Sequence, residues 1–328
     1  MAIIAGTTGS YSVGTAGGNR EDLEDVIWDL FVEDTWCLSN LDRVQASSVF
    51  HEWLLDSLAA AAVNQRLEGN NETYATLANP TRVGNQCQIS DQLFLVSRTQ
   101  EIVAKAGRTS EIQRNSMKKM RELKNDMEFA LVRNQGGAAG TTSALTRSSA
   151  GMESWIVTNV TYGTSTAGAT HVAFASNLQT PSTSGISLGN LTETIFASAL
   201  ELAWTQGGDP RVVLTNARQK SVINNFAGNA PKTININNRS TEQGTILGAA
   251  DMYVSSFGNH TIVLHRHVRN TCVLCIDPSY WAVAFLDPPF VEPYAKTSDG
   301  EKRHMAAEYC LVSRNQSASA IVDALATP

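Results

Sequence analysis

The sequence predicts an α+β fold, on three observations. Residues 110–135 read as one long helix with a narrow apolar stripe, while the second half of the chain holds short β-type runs set between turns and two further helices. Ahead of the long helix stand two extended arms around a polar tip, with too little apolar surface to form a core of their own.

Taken in order, residues 1–18 are rich in Gly, Ser and Thr and lack periodicity, which predicts a flexible arm unless a neighbour pins it. A short acidic helix follows, with Leu23, Val26, Ile27, Leu30 and Phe31 on one face. Its Glu21, Asp22, Glu24 and Asp25 have the chemistry of a divalent-ion site, but compensation of the helix dipole explains them without a ligand. The run ASSVFHEWLLDSL (46–58) fits either a helix or a strand and is read as a strand around Phe50, Trp53 and Leu54. After the polar bend EGNNETYATLANPT comes a half-exposed strand pattern in which Val83, Cys87, Ile89, Leu93 and Leu95 alternate with polar residues. A hairpin of this make-up is marginal alone in water and is expected to lie on another subunit.

The long helix repeats Ile112, Met120, Leu123, Met127, Ala130 and Leu131 at steps of three and four. Ser110 and Gln113 predict a capping box, and Gly136-Gly137 a left-handed stop. The stretch would span roughly 40 Å with a stripe too thin for a buried central helix, so it reads as a strut lying on a sheet. Small residues fill the connection up to Trp155. Asn190 with Glu193 predicts the start of a second helix, with Leu191, Ile195, Phe196, Ala199, Leu200 and Ala203 inside and Gly207-Gly208 ending it. A buried strand at 211–216, a short helix at 217–228, and strands in DMYVSSFG, HTIVLHRHV, TCVLCID, AVAFLD and EYCLVSR complete the reading.

Composition narrows function. Charged residues make up 17% of the 328 positions, below the usual roughly 25%, so small uncharged polar groups must cover much of the surface. A net charge of -6 argues against a protein that grips phosphates. Cys37, Cys87, Cys272, Cys275 and Cys310 are scattered, and the opening MAIIAGTTGSYSVGTAGG lacks the features of a secretory leader, so reduced thiols are expected. Nowhere do the roughly 18 apolar residues of a membrane span occur.

Three motifs have a catalytic or ligand reading. Gly185 to Gly189 matches G-x-S-x-G, but the nucleophile elbow follows a buried strand, whereas Ser187 follows a polar, proline-containing loop. Cys272 and Cys275 form a C-x-x-C downstream of His265 and His267, yet residues three apart on a strand face opposite ways, so buried thiols are expected instead of zinc. Arg114, Lys118, Lys119, Arg121 and Lys124 on the long helix alternate with acids, as on a salt-bridged, solvated face. No catalytic, cofactor-binding or metal residue is assigned, and no phosphate-binding glycine loop is present.

The order of parts, together with the strings at 51–60, 96–135, 276–289 and 308–326, resembles the major capsid (major head) proteins of tailed bacteriophages with the Hong Kong 97-type fold. That resemblance implies an N-terminal arm with the acidic helix (1–45), an extended E-loop hairpin (46–107) and a spine helix with the start of a peripheral domain (108–155). It further implies a mainly axial domain (156–290) and a return to the peripheral domain with a C-terminal strand (291–328). It implies a structural protein of the virion, made in the host cytoplasm, that assembles as hexamers and pentamers around double-stranded DNA without binding it specifically. Scaffolding, portal and decoration proteins would be its further partners. The alternatives are an encapsulin-like shell around protein cargo, a Ser187 hydrolase, and a metal-binding module using Cys272 and Cys275.

Overall fold

A computed structural model describes residues 34–69, 77, 79–105, 107–141, 145–163, 171–174, 178–183, 188–226 and 252–326. The glycine-rich arm, the acidic cluster at 21–25 and Ser187 lie outside them.

The spine of the molecule is α3 (Glu111–Val132). Ser110 Oγ accepts from Gln113 N–H at 3.3 Å, as the cap pattern requires. At about 1.5 Å per residue the helix is some 33 Å long. Leu123, Met127, Ala130 and Leu131 are buried as expected, whereas Ile112 and Met120 are only partly covered, so packing tightens toward the C-terminal end. The expected glycine stop is not used: Arg133 turns extended and caps on Phe129 O, and neither Gly136 nor Gly137 has a positive φ. Gly136 instead admits a close neighbour, since a Cβ there would lie 2.6 Å from Pro181 Cδ.

Helix α3 packs on a four-stranded sheet in the order β1 (Asp42–Gln45), β12 (Trp281–Tyr294), β13 (Gly300–Ser313), β4 (Gln88–Ser97). Only β1 runs parallel to its neighbour. The strands β12 and β13 are far longer than AVAFLD and EYCLVSR suggest; register shifts between Phe285 and Phe290 absorb Pro288 and Pro289 without ending the pairing. A domain boundary at 290 would therefore cut β12; EYCLVSR lies at the end of β13 in the sheet under α3, and a further strand, β14 (Ala320–Asp323), joins a second sheet.

That second sheet has six strands in the order β7 (Val160–Tyr162), β14, β11 (Val273–Ile276), β8 (Val212–Thr215), β10 (Gly258–Leu264), β9 (Met252–Ser255). On one face, α5 (Glu193–Thr205) and α6 (Ala217–Asn224) bury Phe196, Leu200 and Ile223 against Val213, Ile262, Val273 and Val322. The other face turns Leu214, Leu274 and Ile321 into a core shared with Leu123, Met127 and Leu131 of α3 and with Trp281, Met305 and Tyr309 of the first sheet. Both sheets thus close on one core. The start of α5 differs from expectation: Thr192, two residues beyond Asn190, accepts from Ile195 N–H. Its end agrees, with Gly207 at φ +84°.

Candidate assembly surface

A two-stranded ribbon, β2 (Phe50–Leu55) against β3 (Thr81–Gln86), leaves the body beside the four-stranded sheet. Its root is firmly attached. Buried Asn85 donates to Leu311 O at 2.8 Å, to Ala150 O and to Ser149 Oγ, and accepts from the N–H groups of Gln86 and Ala150. Trp53 Nε1 donates to Ser313 O at 2.9 Å. Satisfying so many buried polar atoms fixes the direction in which the ribbon leaves.

Beyond the root the chemistry reverses. Leu54 is 67% exposed, Leu58 100%, Val63 84%, Leu67 82% and Leu77 89%. The alternation along β4 is present, but Ile89, Leu93 and Leu95 face outward with Asp91, while Ser90, Gln92, Phe94 and Val96 turn to the covered side. Gln92 there donates to Asp126 of α3, and Ser90 meets the Tyr309 hydroxyl. Tyr294 of β12, stacked on His304, continues the outer apolar surface. Short α2 (Arg98–Ile102) and the residue after it add exposed Ile102 and Val103. Isolated exposed apolar residues are ordinary, but one stretch of chain carrying this many marks a contact surface.

Two buried polar hubs hold the body behind that surface. Glu128 of α3 is fully buried and receives Cys37 N–H at 2.6 Å and Leu38 N–H at 2.9 Å, which cap α1 (Trp36–Asn40) in place of a local side chain. His265 Nε2 reaches the same carboxylate at 2.9 Å. The Cys37 thiol also meets it, and burial, reinforced by Glu128, holds that thiol well above its ordinary range. In the second hub Arg269 bridges Glu153 of α4 (Met152–Trp155) and Asp323, with His171 Nε2 3.3 Å from Asp323. Burial pushes the Glu153 carboxyl up, partly offset by Arg269. Burial acts the same way on Asp323, but hydrogen bonds from His171 and Ala324 N–H and the Arg269 charge outweigh it, leaving that carboxyl below its usual range.

Cys37, Glu128 and His265 also bring three metal-type ligand atoms within 4.8 Å of one another. The donor set fits a hydrogen-bond hub better than zinc. His267 N–H points at His265 Nδ1 at 3.2 Å, so the ring proton sits on Nε2 and is directed at Glu128; a ligating imidazole needs the opposite arrangement. The C-x-x-C does not join this group. Cys272 and Cys275 are fully buried in different cores on opposite faces, and burial alone pushes the Cys275 thiol up to about 12. His267 meets Asn125 Oδ1 at 2.9 Å. On α3, Lys119 pairs with Glu122 at 2.6 Å and Arg114 with Glu111 at 4.0 Å, the salt-bridged face expected. A serine–histidine contact not foreseen from sequence, Ser255 Oγ to His260 Nε2 at 2.7 Å, locks the β9–β10 turn, with the buried imidazole held by Pro210 O. Among the described residues no helix is long and apolar enough to cross a membrane.

The family model described as SU10 major capsid protein matches residues 6–326. Among solved structures, a chain of Gordonia phage Cozz aligns over 100% of this chain and 99% of its own, at TM-score 0.58 and 9% identity. The capsid of the empty GTA particle aligns over 96% and 98%, at TM-score 0.60 and 8% identity. A chain of Mycobacterium phage Che8 aligns over 93% and 97%, at TM-score 0.54 and 15% identity. No curated protein sequence matches. Identities this low speak to the fold, which is of the Hong Kong 97 type. The family match speaks to the role, a structural component of the virion shell and not an enzyme. The chain belongs to the SU10 major capsid protein family.

Proposed function

We propose that copies of this chain assemble as hexamers and pentamers into a closed icosahedral head around double-stranded DNA, and that the open side chains between Leu54 and Val103 are the principal contact between neighbours. The observation that carries this reading is the run of exposed Leu58, Val63, Leu67 and Leu77 beyond a root that is itself well bonded. Covering a leucine side chain is worth about 1.5–3 kcal/mol, so a ribbon lying across the next subunit recovers what the lone subunit forgoes. Met252 and Val254, exposed on the edge strand β9 and facing away from α5, would serve contacts within a capsomer.

In this scheme 1–45 is the arm, the β2–β3 ribbon within 46–107 the E-loop, and 108–155 the spine helix with the start of the peripheral domain. The six-stranded sheet with α5 and α6 is the axial domain, extended from 156–290 to include β14, while the long β12–β13 pair belongs with the peripheral side. A net charge of -6 supports enclosure of DNA without adhesion. Scaffolding, portal and decoration proteins would be the further partners. Electron microscopy of the expressed chain is expected to reveal closed shells with fivefold and sixfold capsomers; a monomer persisting at high concentration overturns the proposal. Particles from infected cells that hold protein in place of nucleic acid would favour a compartment shell.

A further inference from the structure

We propose that Cys87 and Cys310 are a peroxide-oxidisable pair that closes into an intrachain disulfide. Strand register places them. The pairing of β4 with β13 runs up to Gln88 opposite Tyr309, and Cys87 and Cys310 are the next residue on each side, with Cys87 N–H turned to Val49 O. Paired residues in an antiparallel ladder have Cα atoms about 4.5–5.5 Å apart, so the step just past the ladder's end falls near the roughly 4.4–6.8 Å that a disulfide spans. Both side chains are fully buried and pack in one small cluster with Ala46, Ala282, Ala284 and Val312. The other three cysteines differ. Cys37 is engaged with Glu128, and Cys272 and Cys275 face separate cores.

The surroundings of the two thiols pull in different directions. The Cys310 side chain, helped by the Arg147 charge, lowers the Cys87 thiol despite burial and the opposing Glu308 charge, whereas the Cys87 S–H donates to Ser48 O at 3.6 Å, which favours its protonated form; either sulfur can therefore open the reaction. One thiolate of the pair attacks hydrogen peroxide: an S–O bond forms, the O–O bond breaks, and the departing hydroxide takes up a proton to become water. The other sulfur then attacks the sulfenic acid, the S–O bond breaks, and the second hydroxide leaves as water with the proton of that second thiol. Two thiols lose two electrons and one peroxide becomes two waters. Complete burial favours an oxidant of water-like size over a bulky disulfide reagent. Under the shell reading above, the bond would fix the root of the ribbon to β13 after release into an oxidising exterior; the chemistry itself does not depend on assembly.

The test treats folded wild-type subunits and, separately, assembled particles with dilute hydrogen peroxide, then alkylates remaining thiols under denaturing conditions before peptide mass analysis. The expected result is one cross-linked species joining the Cys87 and Cys310 peptides, lighter by about 2 Da for the lost hydrogens, restored by dithiothreitol, with Cys37, Cys272 and Cys275 alkylated. In Cys310→Ser and in Cys87→Ser, the remaining thiol should stop at a sulfenic acid that dimedone traps when added with the denaturant. Full alkylation of Cys87 and Cys310 after peroxide, or oxidation of either to sulfinic acid without the cross-link, overturns the proposal. Because wild-type subunits decide the matter, neither a variant that fails to fold nor a failure to form shells obscures the answer.

Discussion

The body and the ribbon of this subunit solve the same problem in opposite ways. Around Trp281 the body is complete in itself: the indole is fully buried, its Nε1 donates to Ser319 Oγ at 2.9 Å, and two sheets and α3 close over it. The ribbon is bonded to the body at its root, through Asn85 and Trp53, and then carries leucines and a valine into solvent. The difference teaches where folding ends and assembly begins. Substitutions in the body should unfold the subunit, and substitutions beyond Leu54 should leave it folded but unable to build.

The strongest break in the comparison is Arg269→Leu, which strands Glu153 and Asp323 as buried carboxylates. Denaturant titration of the subunit should register a loss of about 3–5 kcal/mol. Next comes Glu128→Ala, which leaves Cys37 N–H, Leu38 N–H and His265 without their acceptor; a loss of about 2 kcal/mol is expected, together with faster hydrogen exchange in α1.

A subtler effect is acid dependence. Asp323 titrates below its unfolded value of 3.8, so the stability it contributes is present above that pH and lost as pH falls through the lowered value. The stability gap between wild type and Asp323→Asn should therefore close as pH is taken below 3.8. Glu153, raised from 4.5, acts with the opposite sign: its contribution is present below 4.5 and lost as pH rises through the raised value. A gap that widened in acid would show that the Arg269 hub is misread. The smallest expected effect on the subunit belongs to the ribbon. Leu58→Asp should shift subunit stability by no more than about 0.5 kcal/mol, while particle yield collapses.

How much of this could be read from the chain follows from the range of the interactions. The spine helix was legible because its period and the Ser110 cap are local, as was the left-handed turn at Gly207. The Gly136-Gly137 stop was misread because glycine serves close approach as well as helix endings, and only the position of Pro181 distinguishes the two. Pro288, Pro289 and Pro293 made β12 look finished at Asp287, although bulges carry the pairing on to Tyr294. Alternation along β4 was visible, but which side met solvent depended on α3 covering the one with Ser90, Gln92, Phe94 and Val96. Glu128 gave no signal at all. Its partners Cys37 and His265 lie 91 and 137 residues away, and a glutamate beside Met127 reads as surface until those donors arrive. The projecting ribbon was foreseen as under-packed, though not its firmly bonded root.

The most direct test of the central claim is hydroxyl-radical footprinting of dissociated subunits beside assembled particles, read at Leu58, Val63 and Leu67. If the ribbon is covered by a neighbouring copy, these side chains react strongly in the free subunit and are shielded in the particle, while buried Trp281 stays unreactive in both. Equal reactivity of the three residues in the two states would contradict the account.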